Sequence, residues 1–240
     1  MNGPSGSHAL LRLEVPATSV RRSDYLVMKA LLDWLRTVAP AYASGVLLDY
    51  GCGNKPYESL FRDRVSKHLG VDVEQNRSGT VDYVVLSGES IPLADASVDT
   101  LLSTQVLEHV PEPGRYLAEA ARVLKPGGHL ILTCPASYML HEEPHDYFRY
   151  TEYGLRFLAT RHGFEVVRLD PAGGAWRLLG QTFLNHKTFA RRRRIPILSG
   201  IIYRVTVFCT NGVCTLLDTL NRNTKDTVNY MMIARRAGTS

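Results

Sequence analysis

A chain of 240 residues, 45% hydrophobic and 21% charged, has the make-up of a folded globular protein, which excludes wholesale disorder and leaves ample apolar material for a core. Its formal charge of +5 is modest and much of it sits in one run, Arg191 to Arg194, so the basic balance describes a local patch more than the whole surface. The four cysteines, Cys52, Cys134, Cys209 and Cys214, show neither C-x-x-C pairing nor zinc-ligand spacing and read as free thiols of a reducing compartment.

Residues 1–20 form a flexible Gly/Ser/Pro lead without the charged start and long apolar centre of a signal peptide, so a cytoplasmic protein is expected. From Ser23, a candidate N-cap, the apolar residues Val27, Ala30, Leu31, Trp34, Leu35 and Val38 recur at helical spacing. Apolar runs then alternate with helical segments. Strands are expected at 45–50, 68–73, 82–86, 97–103, 128–134 and 164–169, with helices at 114–124 and 151–163. Thr151 caps the second helix and Gly163 ends it. Residues 171–225 break the alternation with long apolar helical stretches, and 227–236 reads as a closing strand. Near-continuous Val/Leu/Ile strands separated by helices predict an α/β fold, a doubly wound, mostly parallel seven-stranded sheet covered on both faces, with a helical insertion before the last strand. The domain plan is therefore a lead (1–20), a core (21–170), an insertion (171–225) and a closing strand with its tail (226–240). No run of 18 uninterrupted apolar residues occurs, so no membrane-spanning helix is expected.

The most informative stretch is "LLDYGCGNKPY" (47–57), where a buried strand stops at Asp49 and turns through Gly51 and Gly53. Ligands of such sheets bind beyond the carboxyl ends of the strands. Asp72 closes the next strand, about twenty residues past the turn, where a carboxylate can take both hydroxyls of a ribose. A dinucleotide-binding turn would carry a third glycine at position 56, which is Pro56, so a pyrophosphate ligand is disfavoured.

The motifs "LLDYGCG", "GVDV", "ESIPLADASVDTLLSTQVLEHV", "EAARVLKPGGHLILTCP" and "YTEYGLRFLATRHGFEVV" follow one another over residues 45–170. In order and spacing this chain resembles the class I S-adenosylmethionine-dependent methyltransferases, in particular the broad subgroup with "LEHV … RVLKPGG". The resemblance implies a Rossmann-like methyltransferase fold and S-adenosylmethionine as cofactor. It places Asp49, Gly51 and Gly53 in the first motif beside the methionine part of the cofactor and Asp72 on the ribose. Gln105 lies beside the methionine portion, and Gly88 can serve adenine through its backbone. Ser87 stands where the family often has an acid facing the adenine amine, which weakens that contact.

"HEEPHDYFRYT" (141–151) follows the fifth strand, where this fold places substrate-side residues. It is read with His145 as the acceptor of a substrate proton and Asp146 or a glutamate orienting it. His141, Tyr147, Arg149 and Tyr150 are the substrate-binding candidates, and His109 is the second choice for the base. Some relatives hold a divalent metal with E-x-x-E-H and a further histidine. The first position here is Gln105, so "LEHV" is read as a structural turn and no metal is expected.

The expected activity is O-methylation of a small-molecule, natural-product or glycan- or lipid-linked metabolite. N-methylation, a metal-assisted methyltransferase and a non-catalytic scaffold of the same fold are the alternatives. Nucleic acid is not the expected partner, because one arginine run without a wider basic stripe is a poor footprint. The insertion 171–225 is read as a lid, a homodimer surface or a membrane-surface element, in the last case with a peripheral membrane contact through 191–220 and the arginines at anionic headgroups.

Overall fold

The computed structural model describes residues 18–186 and 196–238. Seven strands form one sheet: β1 (Val46–Tyr50), β2 (Lys67–Asp72), β3 (Tyr83–Val84), β4 (Val98–Thr104), β5 (Leu124–Pro135), β6 (Phe164–Pro171) and β7 (Asn229–Arg236). Their spatial order is β3-β2-β1-β4-β5-β7-β6. The first five pair in parallel, while β7 runs antiparallel between β5 and β6. The chain leaves β1 toward one edge through β2 and β3, then returns to place β4 on the other side of β1. That reversal opens a crevice at the carboxyl ends of β1 and β4, where ligands of open α/β sheets bind.

Helix α1 (Tyr25–Tyr42) lies on one face and buries Leu31, Leu35, Val38 and Ala39 against Leu47, Leu102, Ile131 and Ile233 of the sheet. Its start departs from the sequence expectation. Asp24, not Ser23, occupies the cap position, and its carboxylate turns back to the Arg22 guanidinium (2.7 and 2.9 Å). After β1, α2 (Glu58–Phe61) is a single turn. The opposite face is covered by α3 (Pro113–Val123) and α4 (Glu152–Arg161), with Leu117, Ala120, Leu155 and Ala159 packed over Leu48, Leu101, Leu130 and Met232. Thr151 caps α4 as expected, its hydroxyl accepting from the Gly154 N–H at 3.1 Å.

The elaboration before β7 consists of α5 (Ala175–Asn185) and α6 (Pro196–Leu220). Asp218 of α6 accepts from the Gly174 N–H at 2.9 Å and lies 3.2 Å from Arg177. The Asn211 amide donates to the carbonyls of Val20 and Arg22 (2.7 and 2.8 Å). Gly180 of α5 leaves room for Cys214, since a Cβ there would stand 2.6 Å from the sulfur. These contacts bind α6 to the body of the domain through polar and small residues. Its outward side carries Ile201, Val205, Phe208, Leu216 and Leu220, each more than half exposed. The usual order of polarity is therefore inverted on this helix. By length and composition Gly200–Leu220 is also apolar enough to cross a membrane, with a mean hydropathy of 1.4. The isolated polar residues within it kept it from being read so in the sequence.

Candidate active site

The glycine turn is built by hydrogen bonds to the end of β2. The N–H groups of Gly51 and Cys52 both donate to the Val71 carbonyl (2.8 and 3.0 Å), and the Gly53 N–H donates to Asp72 Oδ2 at 2.7 Å. Gly51 has φ +81° and a Cβ there would lie 2.4 Å from Val106, so only glycine fits. The Gly53 carbonyl accepts from Asn76 and Thr80 at 2.6 and 3.0 Å.

This arrangement bears on the ligand. A phosphate-binding turn offers free N–H groups and the start of a long helix. Here the three turn N–H groups are engaged within the protein, and the helix that follows is one turn long. With these N–H groups engaged, the turn suits a ligand without phosphates better than a pyrophosphate.

Asp72 sits half-buried at the end of β2. Its two oxygens each take one backbone N–H, from Gly53 and from Val73 at 2.7 Å. Each oxygen keeps a lone pair, which is what two ribose hydroxyls need. Val73 and Leu86, at the ends of β2 and β3, are 53% and 59% exposed. Apolar side chains left bare at the mouth of a ligand crevice suit the face of a nucleobase. Sequence reading passed over both; the signal available was an apolar residue directly after a strand-ending acid. Ser87 and Gly88 are exposed nearby, and the Gly88 carbonyl accepts from Arg115 at 2.9 Å.

Asp49 lies beneath the turn, 1% exposed, with its carboxylate 3.2 Å from His68 Nε2. Tyr116 supports the same region from α3. Its ring stacks on Tyr50 at 4.0 Å, and its hydroxyl donates to the Tyr50 carbonyl and meets Ser103 at 2.8 Å. Burial raises the Tyr116 phenol well above its ordinary range and pushes the Cys52 thiol up to about 12. Cys52, 1% exposed, is thus a small packing residue without nucleophilic character at neutral pH.

At the end of β4, Gln105 adopts φ +56°, an uncommon conformation for a residue with a side chain. Its N–H donates to the Thr133 carbonyl and its amide to the Thr133 hydroxyl (2.9 and 3.0 Å), which fixes the side chain across the β4–β5 boundary. A one-turn 3-10 helix, Leu107–His109, follows. Its Glu108 carbonyl accepts from the N–H groups of Tyr147 and Phe148, and its Leu107 carbonyl accepts from the Tyr150 hydroxyl at 3.1 Å. The segment after β5 is thereby tied to the end of β4.

Within that segment the candidate residues divide. Arg149 and Tyr150, expected to face substrate, work inside the loop. Tyr150 is 8% exposed. The Arg149 guanidinium donates to both Asp146 oxygens (2.6 and 2.7 Å) and to the carbonyls of Tyr138 and Met139. Asp146 also accepts from the His141 N–H at 3.0 Å, and the Arg149 hydrogen bonds bring its pKa down to about 2. It orients Arg149 and His141 rather than His145. A buried carboxylate and a half-buried guanidinium satisfy each other before they reach for substrate, and sequence spacing does not show which partner is nearer.

His145 and Tyr147 are exposed, with His145 Nδ1 at 3.1 Å from the Tyr147 hydroxyl. His109 is half-buried, its Nδ1 2.6 Å from the His145 carbonyl, and its ring meets His141 edge to face at 4.8 Å. Burial lowers the His141 pKa, which keeps that imidazole neutral. Tyr138 packs on His141 at 5.4 Å and is hydrogen-bonded to Asn185 at the end of α5, so the elaboration borders this loop.

Residues 48–132 match the family model described as a methyltransferase domain. An uncharacterized methyltransferase of Mycobacteroides abscessus is 37% identical over 112 residues, which covers 42% of this chain and 43% of that protein. One from Mycobacterium ulcerans is 37% identical over 109 residues, again 42% of this chain and 43% of the relative. The chain thus spans less than half the length of the curated relatives it matches. Among solved structures, an S-adenosylmethionine-dependent methyltransferase from Archaeoglobus fulgidus superposes with a TM-score of 0.56 at 19% identity, covering 87% of this chain and 94% of the other. The [4+2]-cyclase SpnF superposes with a TM-score of 0.58 at 22% identity over 92% of this chain and 85% of its own. Likeness at that identity concerns the fold alone, and the cyclase shows that one fold carries more than one chemistry. Residues 48–132 thus match a methyltransferase-domain model, and the fold over most of the chain is that of an S-adenosylmethionine-dependent methyltransferase.

Proposed function

We propose that this chain transfers a methyl group to an oxygen atom of a small-molecule, natural-product or glycan- or lipid-linked acceptor. The observation that carries the reading is the convergence of the Asp72 carboxylate, the glycine turn, Gln105 and the 141–150 loop at one end of the sheet. S-adenosylmethionine supplies an electrophilic methyl group on a sulfonium. Asp72 would hold the ribose, Val73 and Leu86 the adenine faces, and Gln105 with the turn the methionine portion. His145 takes the acceptor proton: in the tautomer whose Nδ1–H donates to the Tyr147 hydroxyl, 3.1 Å away, its Nε2 carries the lone pair. Little covalent chemistry is asked of the protein beyond alignment and exclusion of water.

The first test is calorimetric titration with S-adenosylmethionine and S-adenosylhomocysteine, on the native protein and on Asp72→Ala. Binding lost in the variant supports the site. A folded protein that binds neither compound refutes the reading and favours a scaffold role. Labelled methyl donor with metabolite extracts then identifies the acceptor, and O- versus N-linkage follows from the product.

The outward face of α6 favours a location as well: a cytoplasmic protein bound peripherally to an anionic bilayer. The apolar stripe of Ile201, Val205, Phe208 and Leu216 would enter the interface. In sequence it follows directly on Arg191–Arg194, which lie outside the described residues and have the charge to meet acidic headgroups. A lipid-linked acceptor would then be presented beside the loop that Asn185 and Tyr138 join. Vesicle co-sedimentation tests this, with phosphatidylglycerol vesicles retaining the protein and phosphatidylcholine vesicles not. A concentration-dependent dimer by light scattering with no vesicle binding would assign the face to a second copy instead.

A further inference from the structure

We infer that Glu108, His109 and His141 form a binding site for a divalent transition-metal ion at the substrate end of the sheet. One ligand atom from each residue lies within 4.8 Å of the other two. His109 Nε2 is 3.8 Å from Glu108 Oε1 and also 3.8 Å from Glu142 Oε2, so a second carboxylate stands at the edge of the cluster. Glu108 is fully buried and the two histidines are half-buried, which separates this group from the scattered surface acids that gather without a ligand.

The rings are also held as metal-binding imidazoles are. His109 Nδ1 is 2.6 Å from the His145 carbonyl, and its N–H can only donate there. His141 Nδ1 faces two acceptors, the Met139 carbonyl at 3.2 Å and the Asp146 carboxylate at 3.4 Å, both nearer than the Arg149 guanidinium at 3.5 Å. A proton drawn to Nδ1 leaves the Nε2 lone pair to a cation, and an acceptor behind each ring fixes its orientation and raises its basicity. Asp146 is itself clamped by Arg149, so the support extends one shell further.

Bonds of about 2.1 Å place ligand atoms about 3–3.5 Å apart around an ion. Binding therefore draws the three atoms together by about 1 Å, a movement available to His141 on its loop. Two imidazole nitrogens with one or two carboxylate oxygens suit zinc, manganese, iron or cobalt in the divalent state better than magnesium or calcium. Three protein ligands leave coordination positions open, and an acceptor with two adjacent oxygens, a vicinal diol or a hydroxy acid, fits them. The site stands on its own geometry; only its part in positioning the acceptor rests on the methyltransferase reading. It also departs from the sequence expectation, in which "LEHV" was a structural turn. Gln105, the poorer ligand there, is not part of the cluster, because its amide is turned to Thr133.

The test is titration of chelator-treated protein with cobalt(II) alone, followed by its visible absorption and by calorimetry. One equivalent is expected, weakened about 100-fold or more by His109→Ala and by His141→Ala, and unchanged by His162→Ala, which removes a half-buried imidazole at the end of α4, outside the cluster. Circular dichroism and S-adenosylhomocysteine binding of each variant show that the fold persists. If a ligand-position variant fails to fold, Glu142→Gln at the exposed edge replaces it, with a smaller loss of affinity expected. Native protein that binds S-adenosylhomocysteine but no cobalt overturns the metal site and leaves the methyltransferase reading intact. Cobalt binding indifferent to His109 and His141 also overturns it. Cobalt binding as expected without S-adenosylhomocysteine binding keeps the metal site and removes the methyltransferase reading.

Discussion

Gly51→Ala tests the structural reason for the glycine turn. Two costs can be separated. At φ +81° a residue with a Cβ is strained by about 1–2 kcal/mol. The added Cβ also meets Val106 Cγ2 at 2.4 Å and Cγ1 at 2.8 Å, an overpacking worth about 1–3 kcal/mol. The single variant should therefore lose about 2–5 kcal/mol of unfolding free energy. Val106→Ala alone should cost about 1–2 kcal/mol for its half-buried methyl groups. It leaves only the Val106 Cβ near the new methyl, at 3.2 Å. The double variant should then be less destabilised than the sum of the singles by about 1–3 kcal/mol, the clash having been removed and the backbone strain kept. Urea unfolding followed by circular dichroism measures all three. Losses that add to within about 0.5 kcal/mol would refute the packing argument and leave backbone conformation as the sole reason for glycine.

The other predictions concern binding, pH and the lipid face. Asp72→Ala should weaken S-adenosylhomocysteine by roughly 10- to 100-fold or more, since each hydrogen bond to a charged group is worth about 1.5–3 kcal/mol; calorimetry reads it. Glu119, held by Arg122 and by the Ile91 N–H at 2.6 Å, has its carboxyl pKa lowered, chiefly by the Arg122 hydrogen bond. A depressed folded-state pKa contributes stability above the ordinary glutamate range and loses it as pH falls through the lower folded value. Glu119→Gln should thus be less stable than the native protein at pH 7, with the gap closing in acid, as a series of urea titrations would show. Leu216→Glu on the exposed face of α6 should release the protein from phosphatidylglycerol vesicles without loss of S-adenosylhomocysteine affinity.

Much of the architecture was legible because β-strand burial leaves a plain record. "GVLLDY", "SVDTLLS" and "GHLILTC" sit on both faces of a covered sheet, so their apolar runs had no other reading, and β1, β4 and β5 lie where those runs are. The glycine turn and Asp72 were legible for a related reason: a tight approach needs glycine, and a strand-ending acid faces the crevice. Asp146 and Arg149 were not. They are three residues apart in a segment dense with charges, and only the folded loop shows that they close on each other and on His141 rather than toward substrate. The start of α1 was missed by one residue because Ser23 and Asp24 are both capping types, and the Arg22 contact decides between them.

What the sequence determined by itself was the alternation of strands and helices, the turn and the acid that follows it. These are local signals, written in neighbouring residues and in burial patterns that recur along one strand or helix. The tertiary structure decided what depends on distance between remote positions. It brought Glu108 and His109, at the end of β4, to His141 after β5, and it turned the polar residues of α6 inward with its apolar stripe outward. A polar residue in an apolar helix reads the same whether it faces a partner or water. Only packing, which places Asp218 against Gly174 and Asn211 against Val20, tells the two apart.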